Sequence, residues 1–203
     1  MNIYIYQPKN FILTKFFVGG LHGKEGKATQ PILKKFVLEG GSTNSRLIVI
    51  PALCRKRKYV STLNKSYYET RVGRKLLGLI QKYKPNIYVE LHCYRKDAYK
   101  LLTDPKRKEK KGVPPLVEVK NGVLIGSVSP HLLSKFNFDF AVVLEFPCKK
   151  PDSQEIILDL LRTIKNAENP KEILDSWNLK YQCSIGKASR LYKDWRENIW
   201  LKS

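Results

Sequence analysis

Apolar and polar residues along this chain switch between a period of two and a period of about 3.6, and the switches divide it into alternating strands and helices. Runs rich in β-branched and aromatic residues at Asn2–Tyr6, Phe11–Val18, Arg46–Ile50, Ile87–His92 and Phe138–Phe146 read as strands. Leu47 to Ile50 is apolar without interruption, the pattern of a strand covered on both faces, which predicts parallel pairing. The first two runs, separated by Pro8-Lys9-Asn10, are expected to pair as neighbours. Leu116–Lys120 and Val123–Val128 flank Asn121-Gly122, the dipeptide that two-residue hairpin loops prefer.

Helical spacing places Ile32, Leu33, Phe36 and Val37 on one side of Glu25–Leu38, and Val72, Leu76, Leu79, Ile80 and Tyr83 on one side of Ser66–Tyr83. Pro130–Phe136 is a short helix by the same reading. Asp152 with Glu155 resembles a capping box opening a helix through Ile164. Further helices run from Asn169-Pro170 to about Leu179, and from Lys187 to Leu201 with Leu191, Trp195 and Ile199 on one face. The predicted fold is α/β: a mixed, largely parallel central sheet flanked by helices in residues 1–150, with a helical C-terminal segment, residues 151–203, packed on it as one domain. Asp97–Pro115 lacks either period and carries the run Lys106-Arg107-Lys108-Glu109-Lys110-Lys111, so a mobile, solvated loop is expected there.

The predicted strand at Phe11–Val18 stops at Gly19-Gly20-Leu21-His22-Gly23-Lys24-Glu25-Gly26, and a helix follows. Glycines in such a turn let the backbone take conformations closed to other residues, so His22 and Glu25 can be aimed at one point. Imidazole nitrogen and carboxylate oxygen are zinc donors. Taken alone, the turn reads better as a surface histidine followed by a carboxylate that opens a helix. Two further apolar strands also end in donors, His92 after Ile87–Leu91 and Glu145 after Ala141–Leu144. Ligands of open α/β sheets bind outside the carboxyl ends of the strands, so these residues are expected to meet there. Glu90 alternates onto the same strand face as His92 and is a candidate partner for its ring. His131, at the start of the short helix, is an additional candidate ligand or a capping residue.

The order of these motifs resembles the zinc carboxypeptidase superfamily, and within it the succinylglutamate desuccinylase and aspartoacylase branch. The resemblance spans about residues 11 to 147 and rests on Gly20-Leu21-His22-Gly23-Lys24-Glu25, Val89-Glu90-Leu91-His92 and Glu145. It implies a single zinc ion held by His22, Glu25 and His92, with Glu145 as general base. That branch also carries Arg-Tyr followed by Leu-Asn-Arg, where Arg57, Lys58-Tyr59 and Leu63-Asn64-Lys65 stand here. The resemblance therefore implies that Asn64 and Arg57 polarise the scissile carbonyl and that Lys58, Asn64 and Lys65 hold a substrate carboxylate. Lysine offers a point charge where arginine offers a two-pronged fork, so substrate preference is expected to differ. The implied reaction is hydrolysis of an amide bond next to a carboxylate, in an N-acyl amino acid or at a peptide C-terminus. Where that branch has a C-terminal β-domain, this chain is expected to lack it or to replace it with the C-terminal helices, so the branch's substrate specificity is not expected to transfer. End to end, the chain also resembles a small family of proteins from methanogenic archaea.

Charge adds a second possibility. The 203 residues hold 38 Lys and Arg against 18 Asp and Glu, a formal net charge of +20. Such an excess fits a small anionic substrate or a nucleic acid. The alternative to an enzyme is thus a basic nucleic-acid-binding protein that keeps the fold without the chemistry. Cys54, Cys93, Cys148 and Cys183 are far apart, which argues against a zinc ribbon or disulfide framework and for a reducing, cytoplasmic location. No apolar run approaches membrane-spanning length, so no membrane partner is expected.

Overall fold

The computed structural model describes residues 1–42, 44–54 and 58–200, the last four by backbone alone. A seven-stranded mixed sheet has the order β1-β3-β2-β4-β7-β6-β5. Its strands are β1 (Tyr4–Tyr6), β2 (Leu13–Gly19), β3 (Ser45–Ile50), β4 (Ile87–Tyr94), β5 (Val117–Lys120), β6 (Val123–Gly126) and β7 (Phe140–Pro147). The four central strands β3, β2, β4 and β7 are parallel, as the unbroken apolar runs required, while β1, β6 and β5 join antiparallel. The first run does not pair with the second as expected: β1 lies against β3, with Ile5 opposite Ile48.

One face of the sheet is covered by α1 (Gly26–Leu38), α6 (Ser153–Asn166) and the long C-terminal α7 (Pro170–Trp200), which is kinked at Tyr181. Phe17, Val49, Val89, Leu91 and Leu144 bury against Leu33, Phe36, Leu160 and Trp177 on that side. The other face packs Phe16, Ile48, Tyr88 and Leu124 against Leu76 and Ile80 of α2 (Arg71–Tyr83) and Leu132 of α5 (Pro130–Leu133). Lys15 is the charged exception within β2: it is fully buried, and its Nζ donates to Lys165 O at 2.9 Å and to Ala167 O, closing the C-terminal end of α6.

The expected helix from Ser66 is instead a short 3-10 turn, Lys65–Glu69, followed by α2, because the Thr70 hydroxyl caps Gly73 N and starts a new helix there. Asp152 precedes α6 without a side-chain cap, so the capping box is not formed. The segment read as a mobile loop is folded: it holds α3 (Tyr99–Leu102) and α4 (Arg107–Lys111), with Val113 buried and Trp195 of α7 donating to Gly112 O at 2.8 Å. The cysteines also depart from the expectation. Cys93 at the end of β4 and Cys148 just beyond β7 are joined in a disulfide across 55 residues, a pairing that the strand register creates and spacing along the chain conceals. Among the described residues, no helix is long and apolar enough to cross a membrane.

Candidate metal centre

Three adjacent parallel strands, β2, β4 and β7, end on the same side of the sheet and deliver the candidate residues there. After β2 the chain turns at Gly20 with φ +61° and Gly23 with φ +57°, both in the left-handed region that favours glycine. A Cβ on Gly20 would stand 2.9 Å from Ala52 Cα and 3.0 Å from Gly26 Cα, so the turn admits no side chain at that point. Leu53 N and Cys54 N bind Gly19 O and Gly20 O, and the Tyr67 hydroxyl donates to Leu21 O at 2.9 Å, which pins the turn from two sides. Glu25 then folds back into it: Oε1 accepts from Leu21 N at 2.6 Å and His22 N at 3.1 Å, leaving Oε2 to face outward.

That oxygen lies 3.4 Å from His22 Nδ1 and 3.1 Å from His92 Nδ1. Each of the three residues offers one donor atom within 4.8 Å of the other two, and the two imidazole ring centres are 4.9 Å apart. Zinc bonds of about 2.0–2.2 Å in tetrahedral geometry put neighbouring donors about 3.3–3.6 Å apart, so the two Glu25–histidine distances and this nitrogen and oxygen set fit a metal ion of that kind. On the far side of the His92 ring, Nε2 meets Glu90 Oε2 at 3.2 Å, and the other Glu90 oxygen accepts from the Tyr88 hydroxyl at 2.8 Å. Glu90 thus fixes which ring nitrogen faces Glu25, as its alternation in β4 predicted.

Electrostatics separates the two histidines. Burial pulls His22 down to about 4, against the pull of Glu25, so its ring is neutral near pH 7. Burial acts the same way on His92, but Glu25 and Glu90 on either side outweigh it and hold the pKa well above the usual histidine value. Glu25 shows the matching response: burial would raise it, yet the two imidazoles keep it below the usual carboxylate range. Without metal, one proton on His92 therefore ties the cluster together. Glu145 is the cross-strand partner of His92 in the β4–β7 register. Burial raises its pKa, as do Glu25 and Glu90, with His92 and Arg107 opposing.

The cluster and Glu145 line one side of a cavity of about 640 Å³. The remaining candidates among the described residues are placed elsewhere. The Asn64 side chain accepts from Ser66 N and caps the 3-10 turn. Lys58 lines a separate small cavity of about 120 Å³ behind His22, and neither Asn64 nor Lys65 borders the larger one. Arg57 lies outside the described residues. His131 stacks edge-on against Tyr68 and, among the described residues, joins no cluster of metal donors. A residue the sequence reading missed is Arg107: 7% exposed, it lines the large cavity, and its Nη1 donates to Pro114 O at 2.7 Å. Its only sequence signal was membership of a lysine-rich run, which reads as solvated surface.

An α/β sheet that brings two imidazoles and a carboxylate to one point at the ends of its central strands defines a fold with a candidate metal centre. The chain belongs to the family described as uncharacterized protein conserved in archaea (DUF2119), whose pattern matches residues 11–197. It is 40% identical over 193 residues to uncharacterized protein MJ0501 of Methanocaldococcus jannaschii, covering 93% of this chain and 94% of that one. Among solved structures it is similar to a candidate metallopeptidase from Shewanella denitrificans, with a TM-score of 0.48 and 13% identity, over 78% of this chain and 74% of the other. It is also similar to a candidate metallopeptidase from Shewanella amazonensis, with a TM-score of 0.46 and 12% identity, over 88% and 82% of the two chains.

Proposed function

We propose that this protein is a zinc-dependent hydrolase of an amide bond next to a carboxylate, akin to the succinylglutamate desuccinylase and aspartoacylase branch. The observation that carries the reading is the meeting of His22 Nδ1, His92 Nδ1 and Glu25 Oε2 at one point, with Glu145 beside His92 on the next strand. His22, Glu25 and His92 would hold the ion, and bound there it supplies Lewis-acid activation of water and of a carbonyl oxygen. Glu145 takes the proton from the attacking water and returns it to the departing amine. A carboxyl whose pKa is raised by burial is better suited to both transfers than a free one, since the shift brings its protonated and ionised forms closer in free energy near neutral pH. Glu90 keeps the His92 Nε2–H directed away from the ion, leaving Nδ1 free to bind. Carboxylate recognition by Lys58, Asn64 and Lys65 has the least support, because these side chains do not border the cavity.

The test is metal content with a base variant beside it. Protein purified with zinc available should hold about one ion per chain, and His22→Ala and His92→Ala should lose it. Glu145→Gln should keep the metal while hydrolysis of N-acyl amino acids or peptides falls by about 10²–10⁴-fold. A zinc-free wild type, or a Glu145→Gln variant as active as wild type, would overturn the reading.

A further inference from the structure

The charges around the cavity do not balance. Its lining includes the cations Lys24, Lys27, Arg95, Arg107 and Lys149, and the carboxylates Glu25, Asp97 and Glu145. Glu25 is committed to the two imidazoles, and Asp97 pairs with Arg95 at 3.5 Å. Lys24, Lys27, Lys149 and Arg107 have no ion-pair partner among the described residues, so four cations face Glu145 alone.

Arg107 is the informative one. A guanidinium has five N–H donors, and the hydrogen bond found for this one goes to a single backbone carbonyl, Pro114 O. Desolvating a charge is expensive, and the protein carboxylate that offsets it, Glu145, is shared with the other cations of the lining, so an anion entering the cavity finds donors to spare. Its planar fork matches a carboxylate. Apolar Ala98, Leu102, Leu116 and Val143 border the same cavity and can take the methylenes of an acidic side chain. A volume of about 640 Å³ exceeds what one amino acid fills, and Lys24, Lys27 and Lys149 are exposed where they border it, which places them at its mouth.

We propose that the cavity takes an acidic, glutamate-rich peptide: Arg107 holds one carboxylate inside, and Lys24, Lys27 and Lys149 meet further carboxylates along the chain at the mouth. Cleavage of such a peptide rests on the hydrolase reading; its binding does not need the metal. The experiment is therefore fluorescence anisotropy with labelled hexaglutamate, a neutral Gly/Ser hexapeptide and a single-stranded DNA oligonucleotide, on both the metal-free and the zinc-loaded full chain.

Hexaglutamate should bind both forms, should bind more tightly than the neutral peptide, and should weaken as salt rises. The triple charge reversal Lys24→Glu, Lys27→Glu, Lys149→Glu touches exposed residues only and should weaken hexaglutamate by about tenfold or more. Arg107→Met should also lose about tenfold or more, with Arg107→Lys between it and wild type. If Arg107→Met melts early, the triple variant still decides the matter. Equal binding of neutral and acidic peptides, an unaffected triple variant, or tighter binding of DNA at the same cations would each overturn the proposal. Protein that takes up no zinc yet binds hexaglutamate would sink the hydrolase reading and leave this one standing, and zinc-loaded protein that hydrolyses N-acyl amino acids yet is indifferent to hexaglutamate would do the reverse.

Discussion

Glu90→Gln alters one functional group in a fully buried side chain, and its effect on metal binding follows from the protons on His92. In the metal-free protein the ring is held between Glu25 Oε2 at 3.1 Å and Glu90 Oε2 at 3.2 Å. Burial opposes the charge, but the two carboxylates outweigh burial and keep the ring protonated. An ion at Nδ1 must displace that proton, so below the raised His92 pKa wild-type affinity falls by about tenfold per pH unit. The amide has two consequences of opposite sign. It removes one of the carboxylates stabilising the imidazolium, which weakens proton competition. It also offers an oxygen to only one of Tyr88 and His92, so ring orientation and basicity suffer, a loss that costs about 10–100-fold in metal affinity.

The two effects separate along the pH axis. Above the His92 pKa no proton competes, and Glu90→Gln should bind zinc about 10–100-fold more weakly than wild type, or about 1.4–2.7 kcal/mol. On going down in pH, wild type gives up affinity to the proton first, so the gap should narrow by up to about tenfold per unit until the variant protonates too. Competition against a fluorescent zinc chelator, carried upward in pH until the wild-type affinity stops rising, reads both quantities, with circular dichroism melts confirming that the variant is folded. A gap that stays constant or widens at low pH would refute the assignment of Glu90 to the His92 ring.

Three other perturbations follow from the same structure. Gly20→Ala forces a side chain into φ +61° with Ala52 Cα 2.9 Å away, so the melting midpoint should drop, by about 1–3 kcal/mol of stability, and zinc should bind more weakly; an unchanged midpoint would contradict the strained turn. Tyr67→Phe removes the hydroxyl held by Leu21 O and should cost about 0.5–1.5 kcal/mol in denaturant titration, with metal affinity falling alongside; stability equal to wild type would count against that anchor. Burial brings Lys15 down to about 8 from 10.5, against the pull of Glu172 and Glu168. Between those values the unfolded chain binds the extra proton, so raising the pH across that window should stabilise wild type relative to Lys15→Met; a stability difference that is flat with pH would show the lysine is not desolvated as described.

Which parts of this molecule could be read from sequence depended on how far apart the deciding residues are. The ends of β2, β4 and β7 are marked locally, by an apolar run that stops at a histidine or glutamate, and one rule about parallel sheets sufficed to bring His22, Glu25 and His92 to one point and to put Glu145 on the strand beside His92. Glu90 was legible for the same reason, since alternation in a strand fixes its face. Strand order was not: the period of β1 says that it is half-buried, and only the crossover through α1, which sets β3 beside β2, leaves β3 as the edge for it to join. The Cys93–Cys148 pairing likewise exists only once β4 and β7 are in register.

Arg107 was hidden by the same logic in its strongest form. In sequence it is one cation in a run of five with a single glutamate among them, and composition assigns such a run to water. What takes it out of water is a set of contacts from distant parts of the chain: Pro114 O receives its guanidinium, Leu116 N ties the segment back to Leu102 O, and Trp195, more than 80 residues on, fastens Gly112. None of these has a signature within a helical or strand period. The segment whose composition argued most for a solvated loop therefore supplies the buried guanidinium of the cavity, while the basic loop that the resemblance favoured borders it through Tyr59, Ser61, Thr62 and Leu63 and leaves Lys58, Asn64 and Lys65 outside it. Metal donors can persist in a recognisable local motif while the cation that selects the substrate moves to another segment. If that is what happened here, Arg107→Met should alter peptide binding with zinc content unchanged, whereas Lys58→Ala and Lys65→Ala should leave both as they are.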